Sequence, residues 1–195
     1  MSHVVNKNLF LVKEHVGLFK AANNFDVHDP ETGDVIMHCR EPSLGFFTKL
    51  LRFTDYKRMT PFDIQITTPT GERIVRLQRG ISLFLSNVTV TDQNNSVIGH
   101  FEQKLFSIGG KFDMTDKNHK HICKLEGKWT GWNFHFKNGN TEFAHVTKKW
   151  AGLGKEMFTS ADNYVLEIAD SVPFDDNIRK LILAAVMCID MVLKE

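Results

Sequence analysis

Over residues 1 to about 170 the chain alternates apolar and polar positions in short runs, paired around turn sequences. Phe25-Asp26-Val27 is followed by Asp29-Pro30-Glu31-Thr32-Gly33 and then Val35-Ile36-Met37. Phe62 to Ile66 leads through Pro69-Thr70-Gly71 to Ile74–Leu77, and Val88-Thr89-Val90 leads through Asp92–Asn95 to Val97-Ile98. Phe112-Asp113-Met114 leads through Asp116–His119 to Ile122–Leu125, and Phe134-His135-Phe136 through Asn138-Gly139 to Phe143–Val146. Such alternation puts one face of each strand in a core and the other in water, and Asn-Gly accepts the positive φ that a tight hairpin turn needs. These hairpins predict ten or more strands. An open sheet of that size curls or closes, and closure removes the aggregation-prone edges.

The pattern then changes period. Asp175-Asp176-Asn177 opens a helix over Ile178–Leu193, IRKLILAAVMCIDMVL, apolar on nearly every face from Leu181 onward, with Asp190 its only charge before Lys194. A helix apolar all round is enclosed by protein or by lipid. Its length is roughly 24 Å, short of a hydrocarbon core of about 30 Å. Arg179 and Lys180 shorten the uncharged part further. An Asp at mid-membrane costs about 2.5–3.5 kcal/mol. Length and charge favour protein. The expected fold is therefore mainly β, a closed antiparallel barrel of about twelve strands around this C-terminal helix, in one domain spanning 1–195. Ala184-Ala185 would let strand backbones approach the helix. Two segments interrupt the hairpins: Ser43–Phe53 reads as a short amphipathic helix, and Trp150–Ser160 as a Gly-containing connector before a last strand at Tyr164–Ile168.

Composition narrows the function classes. The 195 residues carry 24 basic and 23 acidic side chains, a net charge of +1, which argues against coating nucleic acid by bulk charge. Phe is frequent at 16, against two Tyr and three Trp, and suits strand packing without a polar partner. Cys39, Cys123 and Cys188 are odd in number and lack paired spacing, so a disulfide framework is not expected. Lys13, Glu14 and His15 interrupt any signal-like apolar run near the start. The expected compartment is the cytoplasm, peripherally at the inner face of the plasma membrane. No Ser/His/Asp spacing, phosphate loop, dinucleotide turn or zinc-protease box appears, so an enzyme reading has nothing to rest on.

From Val146 onward the chain resembles the phospholipid scramblase family. The residues that carry this are Lys149-Trp150-Ala151-Gly152, Lys155-Glu156, Phe158-Thr159, Ala161-Asp162-Asn163-Tyr164 and the helix ending Cys188-Ile189-Asp190. Asn8–Val12, Asn23–Val27 and Asn95–His100 are similar to earlier parts of that family. The resemblance implies the fold shared with tubby-like and LURP-one-related proteins, a twelve-stranded barrel around a hydrophobic helix, which that family has also been proposed to use as a membrane anchor. It implies a phospholipid-linked role, up to energy-independent transbilayer lipid movement. The alternative is a barrel that binds a lipid headgroup or a protein as a scaffold, without scrambling. The chain departs from the family in three places. It begins almost at the first strand instead of with a Pro-rich arm. Gly80–Ser86 lacks the Cys-rich acylation tract. The calcium loop, which begins Asp-x-Asp in the family, reads Ser160-Ala161-Asp162 here, leaving Asp162 and Asn163 as its remnant, so no calcium or other cofactor is expected.

The candidate lipid contact is the basic amphipathic stretch Phe46–Arg58, with Phe46 and Phe47 beside Lys49, Arg52, Lys57 and Arg58. Its apolar groups could enter an anionic membrane surface while Lys and Arg meet phosphates. The same pattern also fits a helix capping one barrel end. Arg73, Arg76 and Arg79 form a second basic group, in which parity puts Arg73 and Arg79 on one strand face. His119, His121 and Cys123 have the i, i+2, i+4 spacing of residues on one strand face, too few for a closed structural metal site. Asp190 needs a donor, water or a raised pKa if enclosed.

Overall fold

The computed structural model describes residues 3–14, 24–42, 60–81, 87–103, 112–128, 133–148 and 163–193, with backbone alone at 103, 128 and 190–193. The strands are β1 (Leu9–Glu14), β2 (Phe25–His28), β3 (Val35–Arg40), β4 (Phe62–Thr67), β5 (Arg73–Arg79) and β6 (Asn87–Asp92). They continue as β7 (Val97–Gln103), β8 (Phe112–Asp116), β9 (His121–Lys128), β10 (Asn133–Asn138), β11 (Thr141–Thr147) and β12 (Asn163–Ile168). Each pairs antiparallel with the next, and β12 returns to β1 with Leu11 opposite Val165, so the sheet has no open edge. Alternation works as expected: in β4, Phe62, Ile64 and Ile66 are buried between the less buried Asp63, Gln65 and Thr67. Helix α1 (Asn177–Leu193) fills the interior, and every side chain from Leu181 to Ile189 is at most 6% exposed. The expected closed barrel around a C-terminal helix is thus the fold. Among the described residues no helix is long and apolar enough to cross a membrane.

The two rims differ. One carries tight turns, and three of these repeat a single design. Thr68, Asp92 and Asp116 each begin a turn whose fourth residue, Gly71, Asn95 or His119, has a positive φ of 89°, 62° or 62°. The N–H of that fourth residue donates back to the first carbonyl, at 2.9, 3.2 and 3.0 Å. The first side chain then accepts from the backbone beyond the turn: Glu72 N–H at 3.1 Å on Thr68 Oγ1, Ser96 N–H at 2.9 Å on Asp92 Oδ1, and Lys120 N–H at 2.9 Å on Asp116 Oδ1. These oxygens satisfy donors that the ladder cannot reach.

One or two pairs into the ladder from each tight turn lies a bulge. The register skips Ile36 in β3, Ile74 in β5, Ile98 in β7, Ile122 in β9 and Phe143 in β11. Each skipped residue is apolar, and all five pack on or within the core. A bulge gives a strand two successive inward side chains and more local twist. The five together form an apolar collar at the rim where α1 begins. Farther along α1, Ala185, Cys188 and Ile189 share an apolar lining with Val88, Phe101, Phe112 and Phe136.

Inside, β7 presses against the helix at Gly99. A Cβ there would lie 2.3 Å from the Thr115 carbonyl oxygen and 2.9 Å from the Leu181 methyls. Gly99→Ala is therefore expected to lower unfolding stability by roughly 1–3 kcal/mol, seen as a lower denaturation midpoint in urea. An unchanged midpoint would show that β7 and α1 are not in close contact.

Candidate functional site

At the collar rim the start of α1 is stitched to the N-terminal segment. Asp176 caps the helix, its Oδ1 accepting the Ile178 N–H at 2.8 Å. The Asp175 N–H donates to Asn6 Oδ1 at 2.9 Å, and Asn6 Nδ2 returns a bond to Asp175 Oδ1 at 3.1 Å. Arg179 is 0% exposed. Its Nε donates to the Pro173 carbonyl at 3.2 Å, its Nη1 to the Lys7 carbonyl at 3.1 Å, and its Nη2 to Asn8 Oδ1. Burial pushes its pKa down, opposed by Asp170 and Asp176, yet a guanidinium keeps its charge in proteins. Arg179→Met would strand two carbonyls and a side-chain acceptor. A loss of roughly 2–4 kcal/mol in thermal or urea unfolding is expected.

Away from this stitch the described residues leave the mouth open. A cleft of about 530 Å³ lies between the Asp92–Ser96 turn, the Asp116–Lys120 turn and the helix start. Ile98 and Ile122 of the collar, with Ile178 and Leu181 of α1, provide its apolar lining. Lys117, Lys120 and His121 are exposed and all come from the β8–β9 side. Asp92 stands on the β6–β7 turn and Asp176 on the helix. The Lys120 N–H, and after it the Asn118 N–H, hold the Asp116 carboxyl below its usual range. Nothing in the alternation of β6 to β9 marks this cleft. It follows from two bulged hairpins and a helix far apart in the chain.

The bulges also redirect residues singled out by spacing. Ile122 is skipped, so His121 pairs with Thr115 while Cys123 pairs with Met114. His121 is exposed and Cys123 is buried, so they do not share a face as their spacing predicted. Among the described residues no three His, Cys, Asp or Glu side chains gather as a metal site. Ile74 is skipped likewise, which separates Arg73 from Arg79, contrary to the parity argument. Arg73 reaches the Gln93 carbonyl at 2.9 Å and Asn95 Oδ1 at 2.7 Å. Arg76 makes a two-pronged pair with Asp63 at 2.8 and 2.5 Å. Arg79 is buried, stacks 4.6 Å over Phe62 and donates to the Thr60 carbonyl at 2.6 Å. Three arginines thus have three destinations and build no common pocket.

Phe46, Phe47, Lys49, Arg52, Lys57 and Arg58 lie outside the described residues, as do the Ser43–Phe53 helix, the Trp150–Ser160 connector, Asp162 and the Asp190 side chain. Asn163 opens β12, buried and opposite Lys13. Cys39, Cys123 and Cys188 are free and buried; burial pushes the Cys123 and Cys188 thiols up to about 12. They pack as apolar groups and are poor nucleophiles.

Sequence reading missed two stacked imidazole pairs on the barrel wall, His100 on His119 and His135 on His145, each with ring centroids 4.3 Å apart. His119 Nδ1 meets Glu102 at 2.8 Å, and His135 Nδ1 meets Glu142 at 3.1 Å. Burial and then the stacked His119 lower the His100 pKa, and burial and then His135 lower that of His145. Above the ordinary His pKa both states are neutral and stability is full. As pH falls through about 6.5, the unfolded chain takes up protons that the folded wall resists. The unfolding temperature is therefore expected to drop from neutral pH to about pH 5, and His100→Gln with His145→Gln to flatten the drop. An equal slope in parent and variant would remove these rings as its cause.

Two comparisons bear on kinship. An Arabidopsis thaliana protein of known crystal structure superposes with a TM-score of 0.54 at 15% identity, over 93% of this chain and 90% of that one. Such low identity speaks for the shared fold alone. The family model described as Scramblase matches residues 4–195. With the fold and nearly the whole length in agreement, the chain belongs to the scramblase family.

Proposed function

We propose that this scramblase-family barrel works at phospholipid surfaces with its helix enclosed, and that it contacts the membrane through its exterior. The observation that supports this is the burial of every side chain from Leu181 to Ile189 inside a closed sheet. Each large apolar side chain there contributes about 1.5–3 kcal/mol by burial. Exposing Leu181, Ile182, Leu183, Val186, Met187 and Ile189 to water would therefore cost on the order of 10 kcal/mol, comparable with the stability of a whole domain. A helix that fills the barrel is not at the same time a bilayer anchor. The proposed contact is the basic amphipathic run Phe46–Arg58, with Phe46 and Phe47 entering the interface and Lys49, Arg52, Lys57 and Arg58 facing phosphates. Energy-independent lipid transfer between leaflets is the finer reading of family membership. The enclosed helix favours a second reading, a lipid-binding or scaffold barrel without transfer activity.

Flotation of purified protein with anionic and neutral vesicles, at low and high salt, tests the surface reading. Salt-sensitive binding to anionic vesicles is expected. The Lys49, Arg52, Lys57 and Arg58 to Gln variant should lose most of it and flatten the salt dependence. A variant that floats like the parent would remove that stretch from the contact. Leaflet equilibration of a fluorescent phospholipid, with and without calcium, separates the two readings. Acceleration supports transfer, and rates equal to protein-free vesicles leave binding alone.

A further inference from the structure

The cleft at the collar rim combines basic, acidic and apolar side chains. Its basic groups, Lys117, Lys120 and His121, flank the β8–β9 turn that the Asp116 carboxylate braces through the Lys120 and Asn118 N–H groups. Asp92, on the β6–β7 turn, and Asp176, at the start of α1, line the same cleft. Among the described residues neither Lys117 nor Lys120 makes an ion pair or a side-chain hydrogen bond, although carboxylates line the same cleft. The carboxylates meanwhile are held by backbone donors: Asp92 Oδ1 by Asn94 and Ser96, Asp176 Oδ1 by Ile178. Those bonds fix the position of each charge without cancelling it. Charges of both signs thus line one cleft together with apolar side chains.

A simple anion there would meet Asp92, Asp116 and Asp176 as well as the lysines. A simple cation would meet Lys117 and Lys120. A molecule with both charges a few bonds apart satisfies both signs, and its carbon groups can lie on Ile98, Ile122 and Leu181. The volume of about 530 Å³ falls within the usual range for small-molecule sites. We infer that this cleft binds a small zwitterion, an oxyanion facing Lys117 and Lys120 and an ammonium facing Asp92 and Asp176. A choline or ethanolamine phospholipid headgroup and a free amino-alcohol phosphodiester share that chemistry. The inference deepens the phospholipid reading, and rests on it only for the source of the ligand.

Methyl resonances of Ile98, Ile122, Ile178 and Leu181 in the full-length protein report on occupancy. Glycerophosphocholine is the soluble zwitterionic probe, and inorganic phosphate and choline chloride are its single-charge counterparts. The zwitterion is expected to shift these methyls, and each single-charge probe to bind at least about tenfold more weakly. Lys117→Gln with Lys120→Gln should weaken zwitterion binding by about the same factor. Asp176→Asn, which keeps the helix cap while removing the charge, should do likewise. Unchanged unfolding temperatures in these variants would confirm that the fold is intact. Methyls that do not move with glycerophosphocholine, phosphate that binds as well as the zwitterion, or variants that bind like the parent would each overturn the proposal. Vesicles of phosphatidylcholine mixed with an anionic lipid then identify the source. Broadening of the same methyls in the parent but not in the double lysine variant assigns the site to a lipid headgroup. Response to the soluble probe alone assigns it to a free phosphodiester. The two proposals fail separately: vesicle flotation with unmoved methyls ends only the cleft, and methyl shifts without flotation end only the surface reading.

Discussion

The enclosure of α1 is the constraint on which the other features depend. A closed sheet of twelve strands has an interior wider than its own inward side chains fill, and α1 is what occupies it. The helix in turn is apolar on every face, so that no single sheet face could cover it. Neither part has a stable form without the other: an empty barrel would hold a large void, and a free helix would expose Leu181 to Ile189 to water. The same mutual burial leaves every side chain from Leu181 to Ile189 enclosed by protein.

Entry into the barrel had to be solved at one rim. Five hairpins each place one extra apolar residue just below the turn, from Ile36 to Phe143, and the collar they form narrows the mouth around the helix start. Polar stitching closes one side of that mouth. Arg179, deep in the rim, ties the helix to Lys7, Pro173 and Asn8, so the first and last parts of the chain hold each other. Among the described residues the other side stays open between two turns that are braced internally by Asp92 and Asp116. A rigid rim with one open sector is a suitable setting for a binding cleft, because its walls are positioned before any ligand arrives.

Polar features of the wall depend on the same bulges. His119 reaches its stacking position over His100 from a turn with positive φ. His121, one residue past that turn, faces out beside Thr115 because Ile122 absorbs the register shift. The three arginines of β5 are dispersed for the same kind of reason. Patches that a regular strand would have assembled are thereby separated, and others that spacing does not suggest are brought together.

The sequence by itself determined the hairpins, their turns, the closed barrel and the buried helix. Each of these rests on local chemistry or on periodicity: alternation at every second residue, Asn138-Gly139 at a tight turn, and an apolar run with no polar face after Lys180. The sequence also carried the family, through residues such as Lys149-Trp150 and Asn163-Tyr164. Tertiary structure alone decided which side chains meet. Arg73 and Arg79, and His121 and Cys123, have the spacing of neighbours on one face, and a single inserted residue reverses that, because a strand's side chains have a period of two. The mouth cleft was equally invisible, since its walls come from residues near 92, 117 and 177 that only the closed barrel brings to one rim. Periodicity reports which way a residue faces in a regular element. It does not report where the element stops being regular, or which distant element stands opposite.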